Sequence, residues 1–533
     1  MTFVALPFFI FVAALTLVYF LTPGKYRWIV LLLGSYYFYW SNSAWLVLVL
    51  LGTTLFTFGI GLWLQRVNDK SKAFIQAQGE RLSREERTKF KQKTNRTARR
   101  ILALGIVADL GALAFLKYFN FFGENINNLL SAIGQGRPVP VLNLLLPLGI
   151  SFYTLQAIAY MVDIYRADER ADRNPFKFML FMSFFPQIVQ GPIPRHSKLA
   201  HQLYAQHDFD YTRLCHGVQL MVWGLIKKLV IAERLAIPAN YLFSQYSQYQ
   251  GPVLLFASAL YGLQVYTDFS GGMDIARGVA QIFGIDLELN FTQPYFSSSI
   301  EEFWRRWHIT MGSWMKDYVF YPLSLSEPFT NLSRKCRKIL GKYIGKRIPA
   351  FIAMFIVYFL VGFWHGPNWK YVAYGIWNGV FIMSGILLDG PYASLRKKLG
   401  INERMVTWRL FRIVRTFMLV SIGRFFSGAE NLTVALSMIG RMFSRWRDIS
   451  FLYDGTLLST GLNTANWFAL CLFIAFLFFV DFVHEKKVPL RQVIDRQPLA
   501  FRWLIYISAV VVILIFGYYG PTNDSSSFIY AGF

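Results

Sequence analysis

Two histidines in this 533-residue chain stand where a proton could be moved away from water. The first, His308, lies in NFTQPYFSSSIEEFWRRWHITMGSWMKDYVFYP, residues 290–322, and the second, His365, in AFIAMFIVYFLVGFWHGPN, residues 350–368. An imidazole near neutrality suits general-base work, taking the proton from an attacking hydroxyl. His365 is followed at once by Gly366-Pro367, which stops a helix. A helix C-terminus favours the imidazolium and desolvation favours the neutral ring, so the two effects oppose there. For His308 a hydrogen-bonded structural role stands beside the catalytic one. Rival chemistries lack their residues: there is no phosphate-cradling Gly-rich loop, no HExxH and no GxSxG elbow. His196, His201, His207 and His216 have spacings unlike a helical metal site and read as solvated or interfacial. Cys215, Cys336 and Cys471 share no disulfide or metal spacing. No metal site and no bound cofactor are therefore expected.

The elements that must hold these histidines are set by composition. The chain is 55% apolar and 18% aromatic but only 16% charged, with a formal net charge of +24. The positive charge falls in short runs between long apolar stretches, which excludes a disordered or nucleic-acid-binding chain. The pattern is that of an all-α polytopic membrane protein. Apolar blocks are Thr2–Leu21, Arg27–Trp40, Trp45–Leu64, Ile101–Tyr118, Leu142–Val162, Val218–Ala232, Val253–Val265, Ala350–Trp364, Tyr371–Leu388, Ile413–Ile422, Trp467–Val483 and Leu504–Tyr519. The first reads as a retained span rather than a signal peptide. Basic runs at residues 66–100, 334–347, 396–415 and 486–502 set the cytoplasmic side, with the first forming a helical hairpin or loop. Both termini then lie outside, on the inner or plasma membrane of the cell. Arg441, Arg445 and Arg447 fit that scheme less well and belong to an outer-surface or interfacial helix. The other basic runs read as topology signals and contacts with anionic lipid. One membrane domain, residues 1–533, is the simplest account.

Ser298-x-x-Glu301 and Ser299-x-x-Glu302 match capping boxes, so a helix should start near Ser299. Glu301–Arg305 and Glu302–Arg306 then pair four apart. If that helix continues, His308 shares a face with Trp304, Met311 and Met315. The block from Pro349 to His365 spans roughly 24 Å at 1.5 Å per residue, short of a crossing. Both of its flanks are cytoplasmic by charge, so it goes out and returns, with His365 at the turn below the outer surface. Ser270-Gly271-Gly272 reads as a point of close helix packing.

At these residues the chain resembles the membrane-bound O-acyltransferase family, in particular its bacterial branch with the alginate O-acetylation membrane subunit and the teichoic-acid D-alanyl transferase. The matching text is Tyr266-Thr-Asp268-Phe-Ser270-Gly271, Asn290-Phe-x-x-Pro294, Phe303-Trp304-Arg305-Arg306-Trp307-His308, Trp314-x-x-Asp317-Tyr318, Pro322-Leu323 and Gly362-Phe-Trp364-His365-Gly366, with Pro186 and Gly191-Pro192-x-Pro194-Arg195 upstream. It covers about residues 140–390. The resemblance implies a ring of helices around a thin central floor, with a cytoplasmic funnel for the acyl donor and an extracellular one for the acceptor. It makes His365 the essential histidine and His308 the second one of the tunnel. Trp304, Arg305, Asp317, Asn290, Asp268 and Trp364 would line the tunnel or hold the floor. The tail, residues 520–533, resembles an aromatic C-terminal motif of this branch, in which the hydroxyl of Tyr530 would accept the acyl group. The family pattern has aromatics where Ala531 and Gly532 stand, and more often Asp-Phe-Ser-Gly-Tyr-Ser where this chain has Gly272-Met273.

The resulting expectation is a membrane O-acyltransferase. It takes an acyl group, acetyl first and D-alanyl second, from a cytoplasmic thioester, either acetyl-coenzyme A or a carrier-protein thioester, for O-acylation of a cell-surface or exported polysaccharide. A soluble extracellular or periplasmic acetyltransferase is the expected partner, and nucleic acid is not one. A transporter or flippase using the histidines as a proton relay, or an inert membrane subunit, are the alternatives. A transporter would more often show paired broken helices in two halves, whereas this chain has one well-placed Trp-His-Gly break.

Overall fold

The computed structural model describes residues 1–78 and 83–519, so Tyr530 and its tail lie outside the described residues, as does Arg81 of the first basic run. Among the described residues all regular elements are helical, with one isolated antiparallel bridge between Phe291 and Trp307. Among the described residues, five helical stretches are long and apolar enough to cross a bilayer, or six with the pair Trp369–Leu387 and Asp389–Lys398, which is bent by 69°. Most remaining apolar blocks also fall on helices. Leu6–Leu21 and Ile150–Arg166 have 16 and 17 residues, and Val406–Gly428 carries Arg409, Arg412, Arg415 and Arg424. The protein is multi-pass. Two compact units are distinguished, Met1–Val218 with Ala276–Glu288, and Gln219–Ile275 with Leu289–Phe533.

In the first unit, helix Ile150–Arg166 is buried along nearly its whole length. It starts eight residues later than the apolar block that begins at Leu142. Pro138, Pro140 and Pro147 lack the amides a helix there would need, and the segment before Gly149 is irregular. Two asparagines satisfy part of its backbone. Asn120 donates to the Leu142 carbonyl at 2.8 Å and accepts from its amide at 2.9 Å, while Asn127 does the same to Val139 at 2.8 and 3.0 Å. The basic stretch joins two long helices, Val47–Gln78 and Arg84–Leu113, the second capped reciprocally by Ser83 and Glu86. His196 corrects the solvated or interfacial reading. It is 7% exposed, its Nε2 lies 2.8 Å from Asp172 Oδ2, and its ring lies 5.0 Å from Tyr160 and 4.9 Å from Phe181. A pair of acids on the preceding loop gives that imidazole a reason to be inside. His201 is exposed, as expected.

In the second unit Gly271 does pack closely: a Cβ there would stand 2.8 Å from the Gly224 carbonyl oxygen. The neighbouring turn, Ile226–Ala232, is a π-helix that buries Lys227 and Lys228. Lys228 Nζ lies 2.6 Å from both Asp268 and Glu233, and Lys227 Nζ lies 2.5 Å from Asp274 and 3.0 Å from Ser270 Oγ. Arg441 belongs to helix Leu432–Phe443, which buries Ala435, Met438 and Met442 and exposes Leu436 and Phe443. It donates to the carbonyls of Tyr249 and Ser247.

Helix Glu327–His365 ends where Gly366-Pro367 requires, but it reaches further back than Pro349. Its backbone breaks at Gly341 (φ 76°), and residues 342–365 continue through Pro349. At 1.5 Å per residue that is about 35 Å, so helix length does not hold His365 short of a crossing. The return helix, Trp369–Leu387, packs against it through two glycines. A Cβ on Gly362 would lie 2.4 Å from the Tyr371 carbonyl oxygen, and one on Gly375 2.2 Å from that of Tyr358.

Both oxygens belong to backbone, so the hairpin cannot give way cheaply. Gly375→Ala is expected to lower stability by about 1–3 kcal/mol, as overpacking does. Gly385→Ala, on the same helix and open on all sides within 4 Å, should be neutral or stabilising by up to about 1 kcal/mol. Thermal unfolding of the two purified variants in one detergent checks this; equal melting temperatures would contradict the close approach.

Candidate active site

His365 is the last residue of its helix and 5% exposed. The turn after it is built from short local bonds. Gly366 N–H reaches the Phe363 carbonyl at 3.2 Å, Asn368 N–H reaches Gly366 at 2.9 Å, and the Asn368 side chain caps the return helix through Lys370 N at 3.0 Å. That cap turns the chain within three residues and brings Tyr371 and Tyr374 alongside, their ring centroids 6.4 and 5.9 Å from the imidazole. His365 lines a cavity of about 10 Å³ with Tyr261, Val265, Tyr371, Tyr374, Arg424 and Ser427. That is room for roughly one water.

His308 reaches the same region differently from the expected continuous helix. Ser299 does cap a helix, accepting from Glu302 N at 3.1 Å, but the helix is only Ile300–Arg306. His308 is left-handed (φ 48°, ψ 53°) and starts a second short helix, Ile309–Met315. It therefore does not share one helical face with Trp304, Met311 and Met315. Asn290 makes the break. Its backbone carbonyl accepts from Ile309 N at 3.1 Å, and its Oδ1 accepts from Thr310 N at 2.9 Å and Thr310 Oγ1 at 2.8 Å. The bridge from Phe291 to Trp307 and the bond from Thr292 N to Arg306 O at 3.0 Å complete the clamp. The i+4 pairs and the cap that favour one continuous helix lose here to a partner from an earlier segment of the chain, which only tertiary structure supplies.

His308 is 2% exposed, its ring 5.0 Å from Phe269 and 5.9 Å from Trp364. Trp364 lies 5.3 Å from His365. One indole thus contacts both imidazoles. Trp304 joins the assembly by donating Nε1–H to Asn378 Oδ1 at 3.1 Å and packing 6.3 Å from Tyr374.

The other expected residues stand elsewhere. Asp268 is 1% exposed and paired with Lys228, while its neighbour Phe269 touches His308. Arg305 is exposed and paired with Glu301 at 2.7 Å. Asp317 is half-buried on a second π turn, Lys316–Phe320, and does not line the His365 cavity. Arg306 is tied to Glu302 at 2.7 Å and Glu485 at 2.6 Å. Burial alone would raise the Glu302 carboxyl, but hydrogen bonds from Ser298 and the Arg306 charge outweigh it and hold it below the usual carboxylate range.

Sequence reasoning missed Arg424, Tyr374 and Tyr371 in the cavity, and the Lys227–Lys228 pair. Lys227 and Lys228 sit inside the apolar block Val218–Ala232, and Arg424 lies two residues past Ile413–Ile422. An ionisable residue amid an apolar block was the available signal. A larger cleft of about 430 Å³ in the first unit is lined by Pro192, Pro194, Lys198, His201, Asp286 and Glu288, among others. Lys198 and Glu288 pair across it at 2.5 Å.

Residues 165–334 match the family model described as MBOAT, membrane-bound O-acyltransferase family. The chain is 33% identical over 483 residues to the protein named "Probable alginate O-acetylase" of Pseudomonas syringae pv. tomato, covering 90% of this chain and 82% of that one. It is 30% identical over 368 residues to the peptidoglycan O-acetyltransferase of Helicobacter pylori, 64% of each. It is 28% identical over 266 residues to the teichoic acid D-alanyltransferase of Streptococcus thermophilus, 48% of this chain and 59% of that one.

The left-handed backbone at His308 suits glycine better than any L side chain by about 1 kcal/mol. His308→Gly should therefore melt above His308→Ala in the same detergent, although it removes more atoms. The reverse order would show that the break at residue 308 is absent. Asn290→Ala, which takes an acceptor from two buried Thr310 donors, should lose about 1–3 kcal/mol.

Proposed function

Because the chain belongs to the membrane-bound O-acyltransferase family, we propose that it moves an acetyl group from a cytoplasmic thioester toward a cell-surface or exported polysaccharide. The observation that carries this reading is the pair of buried histidines against one indole, with His365 on a cavity at a helix break. An acyl transfer needs one base within reach of a hydroxyl, in a place that excludes bulk water. Thioesters are activated enough to react without a metal.

In the proposed step His365 takes the proton of the acceptor hydroxyl as its oxygen attacks the thioester carbonyl, and later returns a proton to the leaving thiolate. His308, buried against Phe269 and Trp364, positions the reacting groups. The donor is acetyl-coenzyme A or a carrier-protein thioester. The hydroxyl of Tyr530 is the first acceptor, and a soluble extracytoplasmic acetyltransferase then passes the acetyl group to the polymer. This requires the C-terminal tail outside the inner or plasma membrane, the side that the basic runs assign to both termini. The polysaccharide acceptor is supported by the names of the acetylating relatives, and acetyl is favoured over D-alanyl by their higher identity and coverage.

The test uses protein in nanodiscs with radiolabelled acetyl-coenzyme A, and in parallel an acetylated carrier protein. Free thiol release and label on the chain are followed for wild type, His365→Ala and Tyr530→Phe. His365→Ala is expected to lower thiol release at least 10³-fold while the protein stays folded. Label on the chain should vanish in Tyr530→Phe. Thiol release that needs His365 but persists in Tyr530→Phe would discard the tail as acceptor. No turnover by folded wild type with either donor would overturn the assignment to acetyl transfer.

A further inference from the structure

Helix Val406–Gly428 brings two arginines together on one backbone carbonyl. Arg415 Nη2 donates to the Ser298 carbonyl oxygen at 3.0 Å, and Arg412 Nε donates to the same oxygen at 3.4 Å. Arg412 Nη2 also donates to Ser298 Oγ at 2.9 Å. Among the described residues neither arginine is paired with an acid, whereas Arg305, Arg306, Arg396 and Arg409 each are. Residues 412 and 415 are neighbours on the helix surface, so two like charges are held side by side. Ser298 engages only some of the N–H donors of the two guanidinia. The rest are left over at the surface, where Arg415 is exposed and Arg412 half-buried.

Ser298 is itself held in place. Its N–H and its hydroxyl both donate to Glu302 Oε2, at 2.9 and 2.7 Å. Glu302 is in turn tied to Arg306 at 2.7 Å, so its charge is committed to another cation. The bracing fixes where the two guanidinia stand without cancelling their charge. A planar fork of N–H donors matches a pair of phosphate oxygens, and adjacent forks suit an anion with further oxygens to offer. The same helix exposes Leu410, Phe411 and Val414 beside these charges. On a multi-pass protein an exposed apolar helix face belongs against lipid tails, and arginines near the start of such a helix belong at headgroup depth.

We propose that Arg412 and Arg415, braced on Ser298, form a binding site for a phosphate ester. The apolar flank favours the headgroup phosphate of an anionic phospholipid over the phosphate of a soluble thioester donor, and the experiment separates the two. A built site differs from the diffuse attraction of a basic run: it saturates, and a single residue can remove it. Ser298 precedes the cap of helix Ile300–Arg306, which leads through Trp307 to His308. A bound phosphate therefore places an anion at the start of the segment that ends in that histidine. The inference stands without the acyl-transfer reading.

The test uses the full chain, delipidated in detergent, and follows thermal unfolding during titration with two probes. One is dihexanoyl phosphatidylglycerol below its critical micelle concentration, with dihexanoyl phosphatidylcholine as the zwitterionic reference; the other is free coenzyme A. Phosphatidylglycerol is expected to stabilise wild type saturably. Its apparent Kd should rise at least about 10-fold in Arg415→Gln and in Arg412→Gln, the scale of one charge-assisted hydrogen bond. Arg415→Lys should recover only part of the affinity, since an ammonium lacks the fork. The double variant Lys335→Gln/Lys338→Gln, which removes exposed charge from another basic run, should leave the Kd within about threefold. A lower melting temperature without ligand reads the tether to Ser298 and is separate from the Kd. If Arg412→Gln does not fold, the exposed Arg415 decides. Saturable stabilisation by coenzyme A alone, weakened as much by Arg415→Gln, would keep the phosphate site and assign it to the soluble donor. No saturable stabilisation by either probe, a Kd unmoved by Arg415→Gln, or an equal Kd for phosphatidylcholine would overturn the inference.

Discussion

The carboxamide and carbonyl of Asn290 hold the two amides that follow His308, and the geometry around that histidine depends on this. Inside an apolar bundle, a backbone amide that leaves its helix must find another acceptor. A histidine cannot be aimed inward at a helix break unless the break itself is satisfied. Asn290 takes Ile309 N and Thr310 N, and Trp307 N stays on the Phe303 carbonyl at 2.8 Å. His365 solves the same problem locally, through Gly366 and the Asn368 cap. Both imidazoles stand at helix ends, and at both ends an asparagine takes backbone amides of the residues that follow.

Charge is accommodated in two ways in the second unit. Arg306, Arg409, Glu302 and Glu485 form a partly exposed group in which each pair can exchange with water. Such pairs contribute little individually and serve mainly to tie elements together. Lys228, Asp268 and Glu233 are the opposite case, with the lysine and Asp268 almost fully enclosed. Removing Lys228 would take the cation from two acids at once.

The apolar blocks, the Ser299 cap, the Glu302–Arg306 pair and the stop after His365 were all legible in the sequence, because each depends on residues within a few positions of one another. The break at His308 was not. Residues 300–315 read as one helix, and the partner that interrupts them, Asn290, lies ten residues upstream of Ile300 and acts through tertiary contact. The late start of Ile150–Arg166 could have been read from Pro147, whereas the asparagines that stabilise the preceding segment could not. His196 was misread because its acids, Asp172 and Glu169, come from a loop that folds back on it. Arg424 stands two residues past an apolar block, before Phe425 and Phe426, and nothing local to it in sequence distinguishes a buried arginine there from one at a helix end.

The π turn at Ile226–Ala232 adds one residue to a helical repeat, and an extra residue shifts the rotational phase of everything after it by about 100°. Two consecutive lysines on a regular helix diverge by that angle, yet Lys227 and Lys228 each meet an acid across a buried surface. Removing a single residue from this turn would restore an ordinary helix and rotate one of the lysines off its partner. No substitution elsewhere could compensate, because the error would be one of phase rather than of chemistry. Chain length at this point is therefore as strictly constrained as residue type, and the segment should tolerate conservative replacement better than any insertion or deletion.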